Sequence, residues 1–424
     1  MLILLTSLFI LLVIGMPIAY ALGFSALCYF LIEQPALIGI LPQRLFAGIN
    51  NYALISLPLF ILMGLVMNSG GITHRLLDLA MFFVGRFKGG LGHVNVVGSM
   101  IFGGISGSSA SDTASIGSVL IPEMKRRGYP THVAAGITVA SSTMGMIIPP
   151  SVPMVIYAIV AQESVGQLFL GGVIPGIMIG LLQLVIVWWV ATRHGYPTED
   201  APFTVREGVR QVRRSAIVAI MPILIVGSVV FGIATPTETA GLAVAYGILI
   251  GLFIVGLTVV TDLPKVMRSA IITSSKIMMI IAFSQLYIWV LALERVPDQL
   301  AAFMLSFDLG PTAFIVVIAI VILIAGTFID VSPAILLLTP VLLPAAQSVG
   351  ISGVQLGVVM VSGLAVGACT PPVGNCLNVC AAIARLGIGE IFVGAAPFLL
   401  ANVIVLFLIC LFPQLVLWVP SLFF

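Results

Sequence analysis

The chain is 424 residues long, 60% hydrophobic and only 8% charged, with a mean hydropathy of +1.25. A soluble domain carries roughly a quarter charged residues, so this composition excludes a water-soluble globule and defines an integral membrane protein. The 17 Lys and Arg against 15 Asp and Glu give a formal charge of +2 and no nucleic-acid footprint, while five cysteines (Cys28, Cys369, Cys376, Cys380, Cys410) within apolar runs suggest neither a disulfide framework nor a zinc cage.

No charged residue interrupts the run from Leu2 to Ile32. It has no basic residue ahead of it and far exceeds the roughly 7–15 residues of a signal-peptide core, so it reads as a retained first span that begins inside. The chain is then outside at Arg44, returns through 53–69, and places Arg75, Arg86 and Lys88 inside. From Ile72 to Lys88 the apolar positions Leu76, Leu77, Ala80, Phe83 and Val84 share one side, which lays this stretch in the membrane interface. Residues 1–88 are therefore N-terminal scaffold spans and an interfacial helix.

The window 89–127 is too short for two spans with a connection, is broken from Gly103 to Asp112, and ends on Lys125, Arg126 and Arg127. It reads as a re-entrant hairpin on the cytoplasmic side, and with spans 133–161 and 168–191 it makes a first unit, 89–192. A basic loop, 193–214, with Arg206, Arg210 and Arg213, falls inside, as does 262–276. Spans 215–233, 239–260 and 277–293 complete a unit of loop and scaffold, 193–293. The odd number of spans brings the chain outside at Glu294, so the next broken stretch, 312–347, is a hairpin entering from the outside. Spans 354–384 and 389–415 finish the last unit, 294–424. Met1 is then inside and Phe424 outside, and of the 17 basic residues only Arg44 and Arg295 are external, which obeys the positive-inside rule.

The two hairpin regions resemble each other. The first reads GGISGSSASDTASIGSVLIP and the second IAGTFIDVSPAILLLTPVLLP. Asp112 and Pro122 align with Asp330 and Pro340 at one offset (330 − 112 and 340 − 122 are both 218). Downstream, Pro149 of STMGMIIPPS aligns with Pro371 of GLAVGACTPPV at 222, which implies four extra residues in the second unit. Five spans separate the units, so they are inverted. The expected fold is an all-α polytopic membrane protein with inverted repeats, two re-entrant helical hairpins and two broken transmembrane helices, an elevator-type ion transporter architecture with its site near the midplane.

Proline has no amide hydrogen, so Pro149 and Pro150 deprive the carbonyls of Gly145 and Met146 of helical partners, and Pro371 and Pro372 do the same for Gly367 and Ala368. Unpaired backbone at membrane depth is tolerated when it lines a cavity or holds an ion. Ser106, Ser108, Ser109, Ser111, Asp112 and Thr113 at one tip, and Thr327, Asp330 and Ser332 at the other, add hard oxygen ligands suited to a small alkali cation. Set against this, prolines kink many membrane helices, and Ser332 before Pro333 and Thr370 before Pro371 also read as ordinary caps. The half-helices starting at Ser151 and Val373 present amide-rich N-termini that favour an anionic substrate, with Ser151 and Asn375 placed to hydrogen-bond it. Arg295 either pairs an incoming carboxylate or anchors the interface.

GGISGSSASDTASIG, IIPPS, TPTETAG at Thr235 to Gly241, ERVP at Glu294 to Pro297 and CTPPVGN together resemble the large membrane subunit of a tripartite ATP-independent periplasmic (TRAP) transporter, over nearly the whole chain. The resemblance implies sodium-driven import of an organic acid by an elevator motion in the bacterial inner membrane. It implies sodium (Na+) as the coupling ion with no organic cofactor, a small four-helix membrane subunit and a periplasmic substrate-binding protein as partners. By resemblance Ser106, Asp112, Gly145 and Ile148 form one sodium site and Asp330, Gly367 and Thr370 a second, with Ser108 and Ser151 near the substrate. No four-helix segment precedes Met1, so the small subunit is expected as a separate chain. No phosphate-binding loop is present, in keeping with transport not driven directly by nucleotide. The acid is open among sialic acid, other sugar acids and C4-dicarboxylates. Two rival classes are an ion channel and an intramembrane aspartyl protease using Asp112 and Asp330, although the Gly-x-Gly-Asp context of such proteases is absent.

Overall fold

The computed structural model describes residues 1–69, 72–198, 205–255, 258–305 and 310–424. Among the described residues every regular element is helical, as lipid requires of a chain that must satisfy its backbone internally. Among these residues seven helices are long and apolar enough to cross a membrane, or eight if the one bent pair counts as a span.

The first 33 residues are not one span. Helix α1 (Leu2–Val13) stops where Gly15 turns left-handed at φ +87°, and Pro17 precedes α2 (Ile18–Glu33), the glycine-then-proline order that ends one helix and begins the next. At 1.5 Å per residue α1 is only about 18 Å long. It folds back along α2: Leu4 packs with Ala26, Tyr29 and Phe30. Met1 and Tyr29 meet the same carboxylate, Glu294 Oε1, at 3.8 Å from the Met1 nitrogen and 2.5 Å from the Tyr29 hydroxyl. The expectation that places Met1 and Glu294 on opposite faces is therefore corrected, because both ends of a hairpin lie at one end of the molecule.

After α3 (Leu41–Ile49), α4 (Ser56–Ser69) and α5 (Ile72–Val84) comes the first hairpin, with arms α6 (Gly90–Ser106) and α7 (Ser109–Arg126). Its broken helix is α8 (Thr131–Ser142), the short α9 (Met144–Ile147) and α10 (Val152–Ala161), followed by α11 (Val165–His194). Next are α12 (Val205–Val230), α13 (Pro236–Val255), α14 (Thr258–Leu293) and α15 (Val296–Leu305). The second hairpin is α16 (Pro311–Phe328) and α17 (Val331–Ser348), the second broken helix α18 (Gly353–Gly367) and α19 (Asn375–Ala384), and α20 (Ile388–Leu411) follows. Of the loop expected at 193–214, residues 199–204 and the side chains of Arg206 and Arg210 lie outside the described residues, and its remainder from Val205 is already helical. The stretch 262–276 is not a loop either. It forms the early turns of α14, with Asp262, Lys265 and Arg268 exposed on them.

Contacts sort the connections into two ends. At one end the Gly89 amide donates to the Pro197 carbonyl (3.2 Å), the Tyr129 ring packs at a tilt on Tyr196 (4.6 Å between centroids), and the Ser215 hydroxyl donates to the Arg75 carbonyl (3.1 Å). At the other end Thr237 reaches Tyr52, Phe231 packs on Phe423, and the Tyr157 hydroxyl donates to the Gly353 carbonyl (2.7 Å). Hairpin α6–α7 opens toward the first end and α16–α17 toward the second, so the two enter from opposite sides.

The repeat is more regular than the letters imply. The second arms begin at 109 and 331 and end at 126 and 348, and Pro122 answers to Pro344, Pro149 to Pro371, and Pro175 of α11 to Pro397 of α20. Every one of these pairs is 222 apart (331 − 109, 348 − 126, 344 − 122, 371 − 149, 397 − 175). No four residues are inserted, and that expectation is corrected. On this frame Asp330 corresponds to Ser108, each the residue before its second arm, whereas Asp112 corresponds to Ala334.

First arms pack on the broken helix of their own unit, α6 on α8 and α9, α16 on α18; second arms cross to the other unit, α7 to α19 and α17 to α10. Paired glycines permit the first contact in each unit. A Cβ on Gly103 would lie 2.9 Å from the Gly145 Cα, and one on Gly367 would lie 2.6 Å from the Gly326 Cα.

Candidate functional site

At the first tip, Ser106 ends α6 and its hydroxyl donates to Asp112 Oδ1. Asp112 lies in the first turn of α7 and is fully buried, and its Oδ2 has no hydrogen-bond partner. That oxygen faces Gly145, where a Cβ would strike it. A buried carboxylate with an unpaired oxygen is costly unless a cation or donor completes it. The structure thus brings Ser106, Asp112 and Gly145 together. Ile148 stands where α9 ends, its side chain against Gly176 of α11.

Three of the four carbonyls expected to be bare have found partners, which corrects that expectation. Met146 accepts the Ser151 hydroxyl, Gly367 the Thr370 amide (2.9 Å) and Ala368 the Cys376 amide (3.1 Å). Each keeps a second lone pair. For Gly145, the residue four positions on is Pro149, which has no amide hydrogen to offer.

At the second tip, Asp330 itself is the helix cap. Its Oδ1 accepts the Val331 amide (3.0 Å) and the Asn375 side-chain amide (3.4 Å), and unlike Asp112 it is exposed. Ser332 does not cap α17, and Thr370 does not cap α19, which begins after Gly374; the Thr370 hydroxyl turns back to the Val366 carbonyl (2.8 Å). Asp330 shares a cavity of about 330 Å³ with Thr327, Ala368, Gly374 and Asn375, closed on one side by Ile18 of α2. Gly367 is packed on Gly326, and neither it nor Thr370 lines that cavity.

Both tips meet at a larger cavity of about 390 Å³. Ser109, Val152, Val331 and Asn375 all line it, and each is the first residue of its helix, α7, α10, α17 and α19 respectively. Four helix N-termini therefore bring their positive dipole ends to one space, an arrangement that attracts an anion. The tips are tied to the breaks they face: the Val152 amide donates to the Gly107 carbonyl (3.4 Å) and, in the other unit, the Val373 amide to the Thr327 carbonyl (3.2 Å). Ser109 Oγ lies 3.1 Å from Cys376 Sγ, joining α7 to α19.

Of the residues expected to touch substrate, Ser108 and Asn375 line this cavity. Ser151 is 1% exposed and does not; its hydroxyl caps α10 by accepting the Met154 amide (3.3 Å) while donating to Met146. Arg295 sits exposed and left-handed (φ +52°) between α14 and α15, away from the cavity. Lys276, which the sequence suggests for the cytoplasmic edge, instead lines the cavity, and that placement is corrected. Thr273, Lys276, Ile277 and Ile280 line it together, the i, i+3, i+4, i+7 spacing of one helix face, so the signal is present in the sequence once α14 is known to be continuous.

Opposed hairpins, two interrupted helices and an anion-friendly cavity between them define a secondary transporter architecture. The chain matches, over residues 5–415, the family described as "Tripartite ATP-independent periplasmic transporter, DctM component", and it belongs to that family. It is 33% identical over 409 residues to the sialic acid TRAP transporter large permease protein SiaM of Vibrio cholerae, covering 96% of each chain. It is 35% identical over 401 residues to the C4-dicarboxylate TRAP transporter large permease protein DctM of Pseudomonas aeruginosa, covering 95% of this chain and 94% of that one. In fold it is similar to the YdaH transporter of Alcanivorax borkumensis, with a TM-score of 0.63 at 14% identity over 92% of this chain and 90% of that one. The chain is a multi-pass transporter permease, not an enzyme.

Proposed function

We propose that this chain imports an organic-acid anion across the bacterial inner membrane in symport with sodium, by an elevator movement. A periplasmic binding protein delivers the anion, and a small membrane subunit flanks the permease. The observation that carries this reading is the convergence of four helix N-termini on one cavity between two hairpin tips that each bring a carboxylate. The anion sits among the N-termini. One sodium ion is held by Ser106, Asp112 and the carbonyls of Gly145 and Ile148, the other around Asp330 with Gly367 and Thr370. Oxygen donors with a single carboxylate suit a small, hard cation.

The moving body comprises both hairpins and both broken helices, which interlock through the crossed contacts of α7 with α19 and α17 with α10. The scaffold comprises α1 to α4 and α12 to α14, where α2 and α4 pack on α14 and α4 packs on α13. The end carrying Arg75, Lys125, Arg126, Arg127 and Arg193 is cytoplasmic. Met1, Glu294 and Phe424 are then all periplasmic. Sialic acid, other sugar acids and C4-dicarboxylates are the candidate cargoes.

The test is uptake by the reconstituted permease, small subunit and binding protein, with sodium and proton gradients imposed separately. An inward sodium gradient should concentrate one of these acids. Equal accumulation on a proton gradient in sodium-free buffer overturns the sodium coupling. Equal flux without the binding protein overturns the carrier reading in favour of a channel.

A further inference from the structure

Among the described residues lining the central cavity, Lys276 is the one cation and Asp330 the one anion. It is exposed to that space and makes no ion pair among the described residues. It belongs to α14, a scaffold helix, whereas the helix N-termini across the cavity belong to the hairpins and broken helices. A second cavity of about 260 Å³ lies further along α14, where Ile281, Gln285 and Ile288 face Ile156, Ile159 and Leu336. Its polar residues are the neutral Asn51, Gln162 and Gln285. Nine residues of helix separate Lys276 from Gln285, about 13.5 Å along the axis.

We propose that Lys276 is a stationary cation of the anion site: fixed to the scaffold, it stabilises the transported anion while the hairpin tips stand beside it, and it is left behind when they move along α14 toward Gln285. This rests on the reading that the cargo is an anion carried past α14 by the hairpins. The ammonium and the N-termini then hold the anion from opposite walls. At the Gln285 level an amide replaces the ammonium and the same anion is held less tightly. Anion specificity and the difference in affinity between the two faces of the membrane both follow from one side chain.

The field of Lys276 is measurable without knowing the cargo. A thiol is introduced at Ser111, which lines the cavity and is half-buried. The purified full chain is treated with the anionic sulfonatoethyl or the cationic trimethylammonioethyl methanethiosulfonate, and modification at this position is followed by peptide mass spectrometry, so the native cysteines stay in place. A unit charge lining the same cavity should bias the two rates in opposite directions, lowering the anion-to-cation rate ratio about tenfold in Lys276→Gln and leaving it unchanged in Lys276→Arg. Asn375→Cys serves as the second reporter should Ser111→Cys fail to fold or to react. A ratio within twofold of the Lys276 protein in both Lys276→Gln and Lys276→Glu overturns the proposal.

In the reconstituted complex, Lys276→Gln should weaken the affinity for the acid found to be transported about tenfold and Lys276→Arg should restore it. Transport with unaltered affinity in Lys276→Gln overturns the role of Lys276 alone. Absence of any acid uptake by the Lys276 complex overturns the functional reading instead, and the thiol ratio still decides the fate of Lys276.

Discussion

Gly145→Ala is the sharpest single test of the first cation site. The added methyl would land on Asp112 Oδ2, the unpaired oxygen, and would approach Asp112 Cγ to 2.9 Å. Retreat of the backbone is blocked, because Gly103 already packs on Gly145 so closely that its own Cβ would lie 2.9 Å from the Gly145 Cα. The carboxylate must therefore rotate away from the break. Overpacking a dense core costs about 1–3 kcal/mol, which a folded transporter survives. Withdrawing a charged ligand is worth about 1.5–3 kcal/mol, or roughly a 10- to 150-fold loss of sodium affinity. Gly241→Ala in α13 is the control: no atom lies within 4 Å of its Cβ, and it should be neutral or stabilising by less than about 1 kcal/mol. The assay is the sodium dependence of uptake in proteoliposomes beside the thermal midpoint of the purified chain. A Gly145→Ala protein of lowered thermal midpoint but unaltered half-saturating sodium would refute the placement of sodium at Asp112.

Asp330→Ser installs the residue that the first repeat carries at the corresponding position; it should keep the cap of α17 and hold stability within about 0.5 kcal/mol while abolishing sodium-driven uptake, and retained sodium dependence would count against a cation there. Impermeant thiol reagents applied to intact cells should label Leu2→Cys and Ser421→Cys but spare Thr198→Cys, and the reverse pattern would invert the whole orientation. Uptake should fall to background when either the binding protein or the small subunit is left out, so full activity of the isolated chain would contradict a three-part system. A cysteine at Ser332 should cross-link to α14 at two heights, near Ile277 and near Gln285, each lock stopping uptake; cross-linking at one height alone would reduce the motion to a local gate.

Most of the architecture is written in residues that cannot do otherwise. Composition demands membrane helices, and the double prolines at 149–150 and 371–372 interrupt them at corresponding places. Other features are present in the sequence but masked. Gly15-Met16-Pro17 is a helix stop and start, but the unbroken apolar run around it masks the punctuation. The charge at Lys276 reads as a membrane boundary because hydropathy cannot distinguish a cation at the lipid edge from one facing a cavity inside the protein. The partners of the carbonyls at the breaks lay beyond sequence reasoning, since the Cys376 amide reaches Ala368 only through the backbone path of the intervening turn.

The alignment of the two aspartates shows how a repeat can mislead when identical letters are weighed above spacing. Asp112 and Asp330 each lie near a hairpin tip and invite pairing, yet the helix bounds and three proline pairs hold a spacing of 222, on which neither aspartate faces the other. The duplicated backbone supplies two similar breaks, and the carboxylates were placed on it at different depths, one a turn inside the second arm and one at its cap. Burial follows from that difference. A carboxylate one turn inside α7 is enclosed by α6 and the break and keeps an oxygen unpaired, while one at the cap of α17 faces the cavity and is already bonded to its own helix amide. Desolvation is therefore only half offset by protein at Asp112 and largely avoided at Asp330. On the proposed reading, a cation at Asp112 is enclosed by protein, whereas one at Asp330 has to compete with water and with the Asn375 amide. Two carboxylates set on one repeated backbone are thus chemically unlike, one enclosed by protein and one facing the cavity.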